Sequence, residues 1–314
     1  MEYLKSSLVL IFTFSVVAHA DLPLTVEDLL ADKNRFKLDT NLSYYNHHKV
    51  AATAQDFDSI DVGNGRIIYI PSVGNSHSNT DSLIAGLGLR YGVSDKFELG
   101  IKTSGIYNAA RHQNANHFTN TSDTYLQDVS ITSQYQATQN HQSLPDSLIF
   151  GEVSVYDNTQ GLRSKSGASA VIGGTVYVVN DPIVLSLTGS YQYQAKRDLK
   201  NGGQVAIGDT AMLNGSVGFA VNPDITLTGG VGVRHKWADK SSTKLENNNT
   251  QTTLNLGFAY AMSARTNLTT NVRMPISGDG GSTLSVGLTT KLGELPPPLS
   301  QKYRQNKTPE PAAP

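Results

Sequence analysis

The stretch GLGLRYGVSDKFELGIK, residues 86–102, reads as two alternating runs joined by a short polar turn. One phase carries Leu87, Leu89, Tyr91 and Val93, then Phe97, Leu99 and Ile101. The other carries Gly86, Gly88, Arg90 and Gly92, then Glu98, Gly100 and Lys102. Successive strand side chains point to opposite faces, so alternation over this length is a strand signal. The turn at 94–96 makes the pair an antiparallel hairpin with one apolar face. A soluble sandwich and a membrane barrel both use such a face, and the surrounding sequence decides between them.

The chain opens MEYLKSSLVLIFTFSVVAHA, with Lys5 before a short apolar run and Ala18-His19-Ala20 as a cleavage site. That pattern is a secretory signal peptide over residues 1–20. With 38% hydrophobic residues and 28 glycines, the composition is poor in apolar material for one large soluble core. A lipid-facing barrel suits this balance, because only alternate residues of each strand need be apolar. The absence of cysteine excludes disulfides and thiolate chemistry, and a net charge of -1 gives no reason to expect nucleic acid as a partner.

Period-two alternation recurs along the chain, most cleanly at 283–292, 252–262 and 183–194. Strands are expected near 36–46, 81–93, 97–109, 124–137, 147–158, 167–179, 183–196, 209–221, 225–237, 250–262, 266–276 and 282–292. The expected fold is all-β, a twelve-stranded antiparallel transmembrane barrel over 36–292. Most of these runs match the roughly 9–11 residues that a tilted strand needs to cross a bilayer. The strands at 147–158 and 167–179 carry apolar residues on both faces and fit less cleanly. Tight turns rich in Asn, Asp, Pro and Ser alternate with long polar loops, the rim asymmetry of outer-membrane barrels. An even strand count places both termini on the short-turn, periplasmic side. Within the first loop, FDSIDVGNGRIIYIP holds two β runs around Asn64-Gly65, a hairpin signal. Its short arms suggest an external hairpin over the mouth; if both arms crossed the membrane, the barrel would have fourteen strands.

On the lumen phase fall Arg90, Glu98, Lys102, Asp128, Arg234, Lys236, Arg273 and Lys291. Their mixed signs favour cross-lumen pairing, with a selectivity lining as the functional alternative. Aromatic residues gather toward strand ends, as interfacial girdles require. No metal-ligand or nucleophile constellation stands out, no pattern points to a cofactor, and no enzymatic activity is expected. The histidines 47, 48, 112 and 117 sit in loop regions without a third fixed ligand.

Residues 21–35 open DLPLTVEDLL. Thr25, Glu27 and Asp28 suit a helix start, while Lys33 and Arg35 suit its end. Such a helix is too short to stand alone in water. It is expected to dock at the periplasmic mouth as a plug formed by Thr25, Glu27, Asp28, Leu29, Leu30 and Asp32, with an acid paired to Lys291 or Arg90. Residues 293–314, beginning GELPPPLSQ, read as a Pro-rich periplasmic tail.

The segment LPLTVEDLLADKNRFKLDTNLSYYN and the hairpin LRYGVSDKFELGI resemble the outer-membrane transporters grouped with the phenol meta-pathway barrels, and especially the secretion channel of functional-amyloid (Fap-type) systems. The resemblance implies a twelve-stranded barrel with an N-terminal plug helix, often trimeric. It implies a channel moving a solute or a secreted polypeptide across the outer-membrane lipid. The alternative function is a structural or adhesive barrel that binds a surface partner through its loops.

Because the chain has no cysteine, single cysteines report topology without background. Asn116→Cys and Asn248→Cys should react with an impermeant maleimide on intact cells and Asn306→Cys should not; the reverse pattern overturns the orientation.

Overall fold

A computed structural model describes residues 30–49, 56–63, 65–72, 77–114, 117–138, 145–158, 162–163, 169–199, 204–241, 248–278 and 280–293. The barrel strands are β1 (Phe36–Lys49), β2 (His77–Ser94), β3 (Phe97–Asn114), β4 (His117–Thr138), β5 (Asp146–Asp157) and β6 (Ser169–Asn180). They continue with β7 (Ile183–Gln194), β8 (Thr210–Asn222), β9 (Ile225–Lys236), β10 (Asn249–Ala261), β11 (Thr266–Ser277) and β12 (Ser282–Leu292). Each strand pairs antiparallel with its neighbours in sequence, and β1 closes the ring on β12. Phe36 stands in register with both Tyr91 of β2 and Leu292 of β12, so one row of pairs seals the barrel at its chain-end rim. The chain is therefore a closed twelve-stranded barrel, as the alternation predicts.

The apolar phase faces outward. Leu87, Leu99, Leu185, Val217, Leu256 and Val286 are all exposed on the outer wall, and Ile276 keeps 61% of its surface. Rings gather at both rims of this band. Phe36 meets Tyr91 at 4.8 Å between centroids near the chain ends. Trp237 packs against Tyr191 at 5.9 Å and His235 at 5.0 Å near the long loops. Phe97 and Tyr107 mark the two rims on β3. Their separation is roughly 33 Å along the strand and about 25 Å once tilt is projected out, the height of an outer-membrane apolar band.

Three expectations need correction. The polar stretch 110–123 is not a loop: β3 and β4 run 18 and 22 residues and pair through to Asn114 and His117. The exposed Asn120, Thr121 and Ser122 suit a ladder that stands in water beyond the apolar band. The stretches at 197–208 and 238–249 also contribute short runs, Arg197–Leu199, Gln204–Ala206 and Lys240–Ser241, which join Leu162–Arg163 in a small four-stranded sheet at the loop rim.

The third correction concerns the first-loop hairpin. Its arms, Asp56–Gly63 and Arg66–Ser72, pair only with each other and add no strands to the ring. The hairpin does not lie outside over the mouth; it descends into the lumen. Ile60, Ile68 and Ile70 are buried against Tyr45, Ile84 and Ile106 of β1, β2 and β3. On its opposite face Ile67 and Tyr69 are buried with Ile207, and Met212 of β8 packs against them. A hairpin apolar on both faces cannot satisfy itself by lying flat on a surface. Enclosure buries both, at roughly 1.5–3 kcal/mol for each large side chain. The chain reverses where the sequence marks a hairpin, with Gly63 at φ 93 and Gly65 at φ 70; Asn64 lies outside the described residues. A Cβ on Gly65 would lie 2.3 Å from the Ser190 hydroxyl, so glycine serves both the backbone conformation and the close approach to β7.

Lumen packing also explains the two strands with apolar residues on both faces. On β5, Leu148 is buried on the lumen side while Ile149 faces out. On β6, Val171 is buried while Ile172 faces out. Leu148 and Phe150 line the cavity into which the hairpin tip projects.

In Ile70→Asp a carboxylate would be buried with no partner, at a cost of several kcal/mol. We expect the barrel to keep its heat-modifiable electrophoretic band while trypsin gains access to Arg66, which the parent protects. A vanished band would mean that the hairpin is needed for closure itself.

Candidate functional site

The lumen holds its charges in separate groups at different heights. Nearest the chain ends, the Arg90 guanidinium of β2 donates to Asp39 of β1 through Nε (2.5 Å) and Nη2 (3.0 Å). Its Nη1 donates to Glu98 Oε1 of β3 at 3.2 Å. The other Glu98 oxygen accepts from the Ala31 backbone N–H at 2.5 Å. The Lys37 ammonium donates to the Leu30 carbonyl. Residues 30–34 therefore turn into the chain-end mouth just before β1, and Asn34 N donates to the Gly92 carbonyl at 2.7 Å. Gly92 has a specific role here. A Cβ at that position would lie 2.2 Å from the Asp32 carbonyl oxygen, so only glycine lets the segment cross β2.

Only the end of the expected plug falls within the described residues. The described portion, Leu30 to Asp32, is irregular backbone rather than helix, and the Asp32 side chain is exposed. Thr25, Glu27, Asp28 and Leu29 lie outside the described residues. Lys291 stands in register with Lys37 at the same rim.

The second group surrounds Arg66 at the hairpin tip. Its guanidinium forms ion pairs with Asp128 of β4 (2.6 Å) and with Glu152 of β5, and Nη1 donates to Ser130 Oγ at 2.6 Å. Lys102 of β3 reaches the second Glu152 oxygen at 2.6 Å, and the Ser104 hydroxyl donates to Asp128. Arg66, Asp128 and Glu152 are all buried. Burial lowers the Arg66 pKa, while the charges of Asp128 and Asp157 act to hold its proton. Asp157 itself grips Arg197 at 3.0 and 2.8 Å near the loop rim.

The third group lies on the opposite wall. Arg273 of β11 forms an ion pair with Asp61 of the hairpin at 2.7 Å, and its Nη1 donates to the Asp61 carbonyl at 3.2 Å. Arg234 of β9 donates to the Ser59 carbonyl at 3.3 Å. In a ring of twelve strands, β4 and β5 stand across from β10 and β11. The lumen is thus acidic on one side and basic on the other. The hairpin presents Arg66 to the acids and the acid Asp61 to the basic side.

Between these charges the hairpin is held by side chains. The Gln192 amide of β7 accepts from Ile67 N (2.9 Å) and donates to Ile67 O (3.0 Å), standing in for a neighbouring strand. The Tyr69 hydroxyl bonds the Thr210 hydroxyl at 2.7 Å, and burial pushes its pKa up to about 12. Lys236 lies 5.1 Å from the Tyr69 ring and bonds Asp239 at 2.7 Å. Below the tip a cavity of about 640 Å³ is lined by Asp39, Arg90, Lys102, Asp128, Asn255 and Arg273 among others.

The residues expected to line the lumen make no single site. Arg90 and Glu98 tie the chain-end mouth, Lys102 and Asp128 join the Arg66 niche, and Arg234 and Arg273 hold the hairpin. Sequence reasoning missed Asp39, Glu152 and above all Arg66. The available signal was the lumen phase of Tyr45, Ile84 and Ile106, three apolar residues where water-facing ones belong. No group of three or more potential ligands capable of holding a metal occurs among the described residues.

Glu98→Ala should release the segment before β1. The lost charge-assisted bond corresponds to roughly 1.5–3 kcal/mol, so hydrogen exchange at Ala31 should accelerate about tenfold or more. Unchanged protection would mean that the backbone bonds to Gly92 hold the segment alone.

No protein-family model matches the chain, and no curated protein matches it. Among solved structures, the COG4313 outer membrane channel from Pseudomonas putida F1 is similar over 81% of this chain and 95% of that one, with a TM-score of 0.58 at 12% identity. The NanC porin covers 81% of this chain and 100% of its own at 10% identity, with a TM-score of 0.48. The CymD monoaromatic hydrocarbon channel covers 83% and 90% at 10% identity, with a TM-score of 0.44. The likeness to the first lies in the fold: this chain has the architecture of an outer-membrane β-barrel.

Proposed function

We propose that the chain is an outer-membrane channel for small polar solutes, shut in the described state by the first-loop hairpin. The observation that carries this reading is the attachment of the hairpin. It fills the lumen but pairs with no barrel strand, so its withdrawal breaks side-chain contacts and leaves the ring intact. The apolar outer belt supports residence in the outer membrane, with short turns and both termini on the periplasmic side. The likeness in fold to the COG4313 outer membrane channel agrees with this reading.

The cavity of about 640 Å³, closed below by the Asp39–Arg90–Glu98 group, suits a small solute better than a threaded polypeptide. Within the resemblance to the phenol meta-pathway and Fap-type transporters, this favours solute passage over export. The N-terminal segment 21–34 acts as a second stopper at the periplasmic mouth, where Glu98 and Lys37 hold its described end. The trimer implied by the resemblance belongs to the same reading, and mass photometry of the detergent-solubilised protein separates it from a monomer.

Planar-bilayer recordings test the channel. The parent should show small or rare openings, and replacement of residues 56–72 by a Gly-Ser linker should raise single-channel conductance several-fold. Deletion of 21–34 should raise it as well. Silence from both variants, each with its folded band intact, would overturn the channel in favour of a structural or adhesive barrel.

A further inference from the structure

Arg66 comes from a loop yet sits in a niche built by three barrel strands. Its side chain has 2% of its surface exposed, and the carboxylates that hold it have 2% and 7%. The niche walls supply Asp128, Glu152, Ser130 and Lys102. Formally these are two carboxylates and one ammonium, a residual charge of -1 that the single Arg66 guanidinium cancels. If the hairpin withdraws with nothing in its place, that charge stays uncompensated in a narrow lumen, and breaking one partner from a buried pair is costly. The hairpin is therefore an exchangeable counter-ion as well as a stopper.

We propose that this niche is a recognition site for a guanidinium-bearing solute, with Arg66 as the internal occupant that such a solute displaces. The inference rests on the channel reading above and names the solute class that the channel takes. Geometry selects guanidinium over ammonium. Arg66 reaches Asp128 through Nη2 and both Glu152 and Ser130 through Nη1, so a planar fork addresses two strands at once. A compact ammonium cannot span both carboxylates in that way. One further observation marks the niche as imperfectly matched to its own occupant. The Arg66 Nε is buried and makes no hydrogen bond, because the chain enters from the hairpin side where no acceptor lies. A free guanidinium is not tied to that approach and can orient all of its donors.

Isothermal titration calorimetry on full-length protein in detergent tests the site without requiring current. The probes are methylguanidinium, methylammonium, L-arginine and L-lysine. Arg66→Ala empties the niche, and it should bind methylguanidinium and L-arginine at least about tenfold more tightly than the parent. It should also prefer each over its ammonium counterpart, and Asp128→Asn added to Arg66→Ala should abolish the gain. The heat-modifiable band confirms folding, and the Gly-Ser replacement of residues 56–72 vacates the same niche if Arg66→Ala fails to fold. Absence of binding in folded variants, equal binding to the parent, or equal affinity for methylammonium would each overturn the proposal. Binding in calorimetry with no conductance in bilayers would instead overturn the channel reading and leave the niche standing.

Discussion

In hydrocarbon a backbone N–H or C=O without a partner costs several kcal/mol, so a spanning sheet must have no free edge. The closure of β1 on β12 meets that demand, and the other features of the molecule follow from it. Once the ring closes, the two phases of every strand face two different solvents. One phase must be apolar because it meets lipid. The other encloses a lumen that must hold water or be filled by the chain.

This chain largely fills it. The loop half of the lumen is a hydrophobic core assembled from Tyr45, Ile84 and Ile106 on the wall and isoleucines on the hairpin. Side chains that would be misplaced in a water-filled pore thus become the packing surface of an inserted element. The charges follow the same logic. Asp128 and Glu152 are tolerable when buried because Arg66 and Lys102 reach them, and Arg273 is matched by Asp61. The hairpin is fixed by complementarity to both walls, with no backbone ladder to the ring. Such a contact can be exchanged as a unit, whereas a strand of the barrel cannot leave without opening an edge.

The two mouths are closed by different means. At the chain ends, a short irregular segment is caught by one carboxylate and one ammonium, Glu98 and Lys37, and fits only because Gly92 has no side chain. At the loop rim, the long β3 and β4 stand beyond the apolar band, and a small sheet of loop segments caps the opposite arc. Polar ladders are stable there because water satisfies their outer faces.

The sequence by itself determined the barrel. Period-two alternation is a local property of each strand, so the twelve strands, the lipid phase and the lumen phase of Arg90, Lys102 and Arg273 were legible residue by residue. The chain reversal beside Gly65 was legible for the same reason, since the positive φ of Gly63 and Gly65 is a backbone preference intrinsic to glycine. Only the tertiary structure decided where that hairpin goes. Its short arms and apolar faces are compatible with lying outside, crossing the membrane or entering the lumen, and the choice depends on residues far away in the chain. Ile84 and Ile106 provide the apolar surface, and Asp128, Glu152 and Arg273 provide the charges. No local pattern encodes that these five residues meet one hairpin. Their meeting is fixed by ring closure, which sets β4 and β5 across the lumen from β11 and turns side chains scattered along the chain into the walls that hold one hairpin.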